Sequence, residues 1–88
     1  MGLLMFYGEE CKHCHEMFPL IDKLEKEKGV KVERIETWHS SGNKKKLDKL
    51  DNGQCGGVPF FYNEETKATM CGAGKYDKLV EWATGSGS

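Results

Sequence analysis

The cysteine pair Cys11 and Cys14 stands where the chain changes its hydrophobic period, and this junction constrains the fold more than any other feature. Before it, Leu3-Leu4-Met5-Phe6-Tyr7 is a short continuous apolar run closed by Gly8. Such a run is too short for a buried helix and reads as a buried strand over residues 3–7. After it, Cys14, Met17, Phe18, Ile21 and Leu24 recur at three- and four-residue steps from Lys12 to about Lys28, with charge on the opposite side. That is an amphipathic helix facing a core. Gly29 is its natural stop, and Pro19 inside it removes a backbone donor and should bend the axis.

The rest of the chain continues the alternation. Val30 to Thr37 reads as a second strand, and Ser40-Ser41-Gly42-Asn43 as a loop with a cap. Lys44 to about Leu50 reads as a short helix with Leu47 and Leu50 inward, broken at Asp51-Asn52-Gly53. Val58 to Tyr62 and Lys67 to Cys71 form a hairpin across an Asn63-Glu64-Glu65 turn. Tyr76 to Ala83 is a last helix, with Leu79, Val80 and Trp82 available for packing. The order β-α-β-α-β-β-α implies a parallel first pair joined by a right-handed crossover and an antiparallel last pair. The expected fold class is α/β, a four-stranded mixed sheet flanked by helices on both faces. Residues 1–84 form one domain, and 85–88 a flexible Gly/Ser tail.

Composition narrows the function. The 88 residues suffice for one small domain. Thirteen basic and fourteen acidic side chains give a net charge of −1, which carries no footprint for nucleic acid or an anionic membrane. No apolar run approaches the roughly 18–20 residues of a membrane span. The apolar N-terminus lacks a basic segment before it, so it reads as a strand rather than a signal peptide. A cytoplasmic monomer is expected.

The chemistry lies in Cys11-Lys12-His13-Cys14. A cysteine at a helix N-terminus meets unpaired backbone N–H groups and the positive end of the helix dipole. Both favour the thiolate, which is the nucleophile. Cys11 is therefore the candidate attacking residue. Cys14, one turn on and on the apolar side, is the more buried partner that closes a disulfide with it. Lys12 and His13 between them are candidate redox-tuning residues: positive charge favours the Cys11 thiolate and makes the couple more oxidising, while Glu9 and Glu10 oppose it. The plain alternative makes both solvated loop residues.

The segment Phe6-Tyr7-Gly8-Glu9-Glu10-Cys11-Lys12-His13-Cys14 resembles the strand, turn and redox motif of the thioredoxin superfamily. Pro19 resembles the helix proline of thioredoxins, Gly57-Val58-Pro59 the segment carrying the family's cis-proline, and Met70-Cys71-Gly72-Ala73 the end of its last strand. The resemblance covers about residues 3–83 and implies a minimal thioredoxin-like fold. It further implies a thiol–disulfide oxidoreductase with no cofactor beyond a Cys11–Cys14 disulfide, acting on protein disulfides or dithiols with a separate reductase or oxidase as partner. It assigns attack to Cys11 and resolution to Cys14. It makes Val58 the residue whose backbone pairs with an extended substrate, and it makes Pro59 cis. There are departures. The extra N-terminal strand and helix of full thioredoxins are absent, and Met5 stands where thioredoxins carry a buried aspartate. Gly74-Lys75-Tyr76-Asp77 loosely resembles the glutathione-binding turn of glutaredoxins, but Glu9 and Glu10 replace that family's basic approach. Reduction of glutathione mixed disulfides is thus the alternative within the enzyme class.

Other residues have plainer readings. Cys55 and Cys71 share no spacing motif and read first as two free cysteines, with a second disulfide or regulatory pair as the alternative. A metal-binding module built on Cys11, His13, Cys14 and His15 is the rival from another class. It is disfavoured because His15 should point away from Cys11 and zinc needs four convergent ligands; no metal is expected. Trp38, Trp82 and Tyr7 read as packing residues, although Tyr7, an aromatic ring beside the thiols, is also a candidate substrate contact. Lys44-Lys45-Lys46 reads as a solvated helix face.

Overall fold

The computed structural model describes residues 2–85. Its elements are β1 (Leu3–Tyr7), α1 (Lys12–Lys28), β2 (Val32–Glu36), α2 (Ser41–Asp51), β3 (Phe60–Asn63), β4 (Thr69–Cys71) and α3 (Tyr76–Thr84). The sheet order is β2-β1-β3-β4; β1 runs parallel to β2 and antiparallel to β3, and β3 is antiparallel to β4. This is the four-stranded mixed sheet expected from the pattern of elements, in the thioredoxin-like arrangement that the resemblance implied.

The continuous apolar run of β1 follows from a sheet covered on both faces, because successive side chains of a strand point to opposite sides. Leu3 and Met5 join Cys14, Met17, Ile21 and Leu24 of α1 and Leu79 and Trp82 of α3. Leu4 and Phe6 join Ile35, Phe60 and Leu47 of α2 in a second cluster. Two thin cores therefore sandwich one sheet, with β1 anchoring both. β3 repeats the division, Phe61 going to the first cluster and Phe60 to the second. Phe61 meets Trp82 edge to face at 5.3 Å, a geometry favoured by the ring quadrupoles.

Helix ends follow local chemistry. Gly29 and Asn52 take the left-handed conformation as C-caps of α1 and α2, at φ 65° and 51°. Pro19 stays within α1, which runs through it as one element. α2 begins at Ser41, not at Lys44 as the composition suggests. The Ser40 hydroxyl accepts from the Asn43 N–H at 3.3 Å, and a serine N-cap, which typically contributes ~1 kcal/mol, recruits Ser41–Asn43 into the helix. β2, β3 and β4 each start two residues later than their apolar patterns suggest. In the β3–β4 hairpin the last pair is Tyr62↔Thr69, so the connection is wider than the expected Asn63-Glu64-Glu65 turn. The reason is Asn63: its carboxamide oxygen accepts from the Glu65 and Thr66 N–H groups at 2.9 and 3.2 Å, and its amide donates to the Trp82 and Ala83 carbonyls at 3.0 and 3.2 Å. This buried side chain ties the hairpin to the end of α3.

Cys55 and Cys71 are joined in a disulfide with Cα atoms 5.4 Å apart, which corrects their reading as free thiols. The pairing Phe60↔Cys71 returns Cys71 to the start of β3, and the loop that carries Cys55 enters the same strand. Their separation of 16 residues in sequence conceals this closeness. Gly85 caps α3; residues 86–88 of the expected tail lie outside the described residues. Among those described, no helix is long and apolar enough to cross a membrane.

Candidate active site

β1 delivers the chain to Gly8, and α1 starts directly after Cys11. Cys11 is the N-cap of α1 with extended backbone, and its Sγ accepts from the Cys14 N–H at 3.3 Å. The sulfur thus takes the place an oxygen usually fills at a helix N-cap. Cys14 lies beneath it, joined in a disulfide with Cα atoms 5.2 Å apart. Cys14 is fully buried and Cys11 is 8% exposed, so Cys11 is the nearer of the two to the surface. Reduction would leave Cys11 Sγ facing the first N–H groups of a seventeen-residue helix, which favour negative charge at that position.

The turn before Cys11 is held from several sides. The Cys11 N–H donates to the Gly8 carbonyl at 2.9 Å. The Glu9 N–H donates to the Glu36 carboxylate at 2.9 Å, and the His15 ring donates from Nε2 to the Glu9 carbonyl at 2.6 Å. The Glu10 carboxylate pairs with His39 Nε2 at 2.7 and 2.8 Å. Glu36 also accepts from the Trp38 and His39 N–H groups at 3.1 and 2.8 Å. Partial burial acts to raise the Glu36 pKa, but these three backbone donors outweigh it and the carboxyl falls below its ordinary value. His39 is raised above its ordinary value, first by its hydrogen bond to Glu10 and then by that residue's charge. Glu10, counted as opposing the Cys11 thiolate, therefore has its charge offset locally by an imidazole that holds its proton more firmly.

Sequence reasoning missed this support because Glu36 and His39 lie 27 and 29 residues from their partners Glu9 and Glu10. The only signal available was that Glu36 ends, and His39 shortly follows, the strand parallel to β1. Thr37 continues that strand's path, donating from its N–H and its hydroxyl to the Tyr7 carbonyl at 2.8 and 3.1 Å.

The remaining candidates fall as follows. Lys12 and His13 are exposed on the first turn of α1, and His13 Nδ1 meets Glu16 at 3.1 Å. Tyr7 is half-buried, its ring edge-on to Phe18 at 5.2 Å. The Val58–Pro59 peptide bond is cis, as the resemblance implied. Because Phe6 pairs with Phe60, Val58 and Pro59 enter the sheet at the end where β1 leaves it, the end that carries Cys11. Pro59 is buried and Val58 half-buried against both core clusters. His13 and His15 are engaged with Glu16 and Glu9, so they do not complete a ligand set with the two cysteines. Among the described residues, the side chains gathered closely enough to hold an ion are Glu10, Glu36 and His39, which already bond one another and the neighbouring backbone. Trp38, read as a packing residue, is 52% exposed and covers Gly8.

A family model described as TraF, F plasmid transfer operon protein, matches residues 1–56, a stretch that runs from β1 through α2 to the loop carrying Cys55. No curated protein matches the chain significantly.

Proposed function

The chain belongs to the TraF family, F plasmid transfer operon protein, and from that premise we propose that it is a thiol–disulfide oxidoreductase of the thioredoxin superfamily, exchanging disulfides with protein substrates through Cys11 and Cys14. The observation that carries the reading is Cys11 as the N-cap of α1, its Sγ on the Cys14 N–H and its disulfide partner buried beneath it.

In the reducing direction the Cys11 thiolate attacks one sulfur of a substrate disulfide. A mixed disulfide forms, and the other substrate sulfur leaves as a thiolate and takes up a proton. Cys14 loses its proton and attacks Cys11 Sγ, which closes the Cys11–Cys14 disulfide and expels the second substrate thiol. Two electrons pass to the substrate, and a partner reductase restores the dithiol. The reverse sequence, with a partner oxidase, oxidises a substrate dithiol. Backbone donors at the helix start favour the Cys11 thiolate in either direction, and Lys12 and His13 on the same turn add positive charge when protonated. Met5 is fully buried in the cluster that holds Cys14, so no carboxylate at that position receives the Cys14 proton. Val58, next to the cis-proline at the same sheet end, offers backbone to an extended substrate segment, with Tyr7 supplying apolar contact.

The test is trapping. In Cys14→Ser the mixed disulfide on Cys11 cannot resolve, so a disulfide-bonded complex with a model protein disulfide should accumulate on a non-reducing gel. Cys11→Ser should form none and lose turnover. Equal trapping through Cys55 or Cys71 would overturn the assignment.

A further inference from the structure

We propose that Cys55–Cys71 is a second thiol–disulfide site, opened by dithiols through Cys71, whose state controls how firmly the Val58–Pro59 segment is held. Its consequence for substrate capture rests on the reading of Cys11, Cys14 and Val58 given above.

The two disulfides occupy the same end of the sheet on opposite faces. Cys11 and Cys14 belong to the cluster beneath α1 and α3, whereas Cys55 packs on the cluster beneath α2. Cys71 stands opposite Phe60, which is in the α2 cluster, while its neighbour Met70 stands opposite Phe61 and packs with the other. Alternation along β4 therefore turns Cys71 away from Cys14. With the sheet between them, the two pairs exchange electrons with outside thiols and not with each other.

Access and position distinguish this bond from a buried staple. Cys71 is exposed at the end of β4, the edge strand of the sheet. Cys55 is half-buried, with its N–H and that of Gly56 on the buried Asp51 carboxylate at 2.6 and 2.8 Å. The bond joins the chain on either side of Pro59. Upstream lies the loop with Cys55, Gly56 and Gly57; downstream, the Gly72 N–H donates to the Pro59 carbonyl at 2.8 Å. β4 has only three residues. Once the bond opens, the edge strand is held by that hydrogen bond, a short ladder and the packing of Met70, with no covalent tie left to the Pro59 segment, and the glycines beside Val58 add conformational freedom.

The step balances with a dithiol as reductant. Its thiolate attacks Cys71 Sγ, the Cys55–Cys71 bond breaks, and Cys55 leaves as a thiolate that takes up a proton. The second thiol of the reductant then displaces Cys71, leaving two protein thiols and an oxidised reductant, with two electrons transferred.

The experiment titrates the native protein in buffers of reduced and oxidised dithiothreitol. Alkylation and peptide mass spectrometry read each cysteine separately, and NMR follows the Gly72 amide. Cys55 and Cys71 should become alkylated together while the circular dichroism of the fold persists, and the Gly72 amide should exchange at least about tenfold faster and recover on reoxidation. The proposal is overturned if the pair opens only as the chain unfolds, or if it opens with Gly72 unchanged. The variant Cys11→Ala, Cys14→Ala carries only the second pair, so a couple seen there stands even if Cys11 and Cys14 prove inert. Should that variant not fold, the separate readout in the unaltered protein still decides. The variant Cys55→Ala, Cys71→Ala should keep its reaction with a small aromatic disulfide and lose several-fold in turnover of a protein disulfide; equal rates on both would remove the link to substrate capture.

Discussion

The backbone of Gly8 lies directly against the indole ring of Trp38, so that a methyl group on residue 8 would overlap the ring itself. Gly8 in turn accepts the N–H of Cys11. The glycine is therefore required for close approach and not for an unusual backbone conformation. Gly8→Ala must displace the ring or the turn, and overpacking of this kind typically costs about 1–3 kcal/mol. A lower urea midpoint with an unchanged slope is expected, accompanied by a shift in tryptophan emission. Adding Trp38→Ala to the glycine variant should recover most of the loss, because it removes the group being struck. Additive losses in the double variant would mean that the contact is not the cause.

The bond between His39 and Glu10 makes the turn before Cys11 sensitive to pH. His39 has a folded pKa above its ordinary value, first because of its hydrogen bond to Glu10. Its contribution to stability is then fully present below the unfolded value of about 6.5 and is lost as pH rises through the raised folded value. The difference in melting temperature between the parent and His39→Gln should be largest near pH 5.5 and shrink across the neutral range. Glu36 works in the opposite sense: its lowered pKa means its contribution is present above the ordinary carboxylate range and fades on acidification. A difference for His39→Gln that grows with rising pH contradicts this account.

The buried Asn63 carboxamide makes four hydrogen bonds, two within the hairpin turn and two that join the hairpin to α3. Asn63→Ala would strand the Trp82 carbonyl and the Glu65 and Thr66 N–H groups together. Loss of these bonds, with the buried Trp82 carbonyl left unpaired, should cost about 1–3 kcal/mol. Thermal unfolding checks the magnitude, and Asn63→Asp tests the cause, because its carboxylate keeps the acceptor and turns a charge toward two carbonyls. The aspartate variant should be no more stable than the alanine one near pH 7.

Tyr76 donates from its hydroxyl to Glu27 at 2.7 Å, linking the start of α3 to the end of α1. That hydrogen bond, then partial burial, pushes the phenol up to about 12. Its folded pKa lies above the ordinary value of about 10, so the link persists below pH 10 and fails as pH rises through 12. Ultraviolet titration should show a late-ionising phenol that disappears in Tyr76→Phe and moves toward 10 in Glu27→Gln. A Tyr76 that titrates at the ordinary phenol value of about 10 would show the bond to be absent in solution.

Most of the fold is legible in the sequence because it rests on local rules. The continuous apolar run over residues 3–7, period three to four from Cys14 to Leu24, and Gly29 after the last apolar residue are each decided within a few residues of chain. They specify β1, α1, the crossover and a Cys14 more deeply buried than Cys11, and these appear as expected. The strand ends are less legible. Where β3 starts depends on its partner Phe6, and where the hairpin turns depends on Asn63 reaching α3.

The support of the candidate site belongs to the tertiary structure. Glu36 and His39 gain their roles because a parallel strand brings its C-terminal end beside that of β1. Cys55 and Cys71 meet because β4 returns along β3. Neither Trp38 over Gly8 nor the division of the two disulfides between opposite faces has a local signature. The sequence by itself determined which elements form and which thiol caps α1, since helix periodicity and capping act over one or two turns. Only the packed sheet decided what holds the turn before that thiol and where the second disulfide forms, because those contacts join residues far apart in the chain.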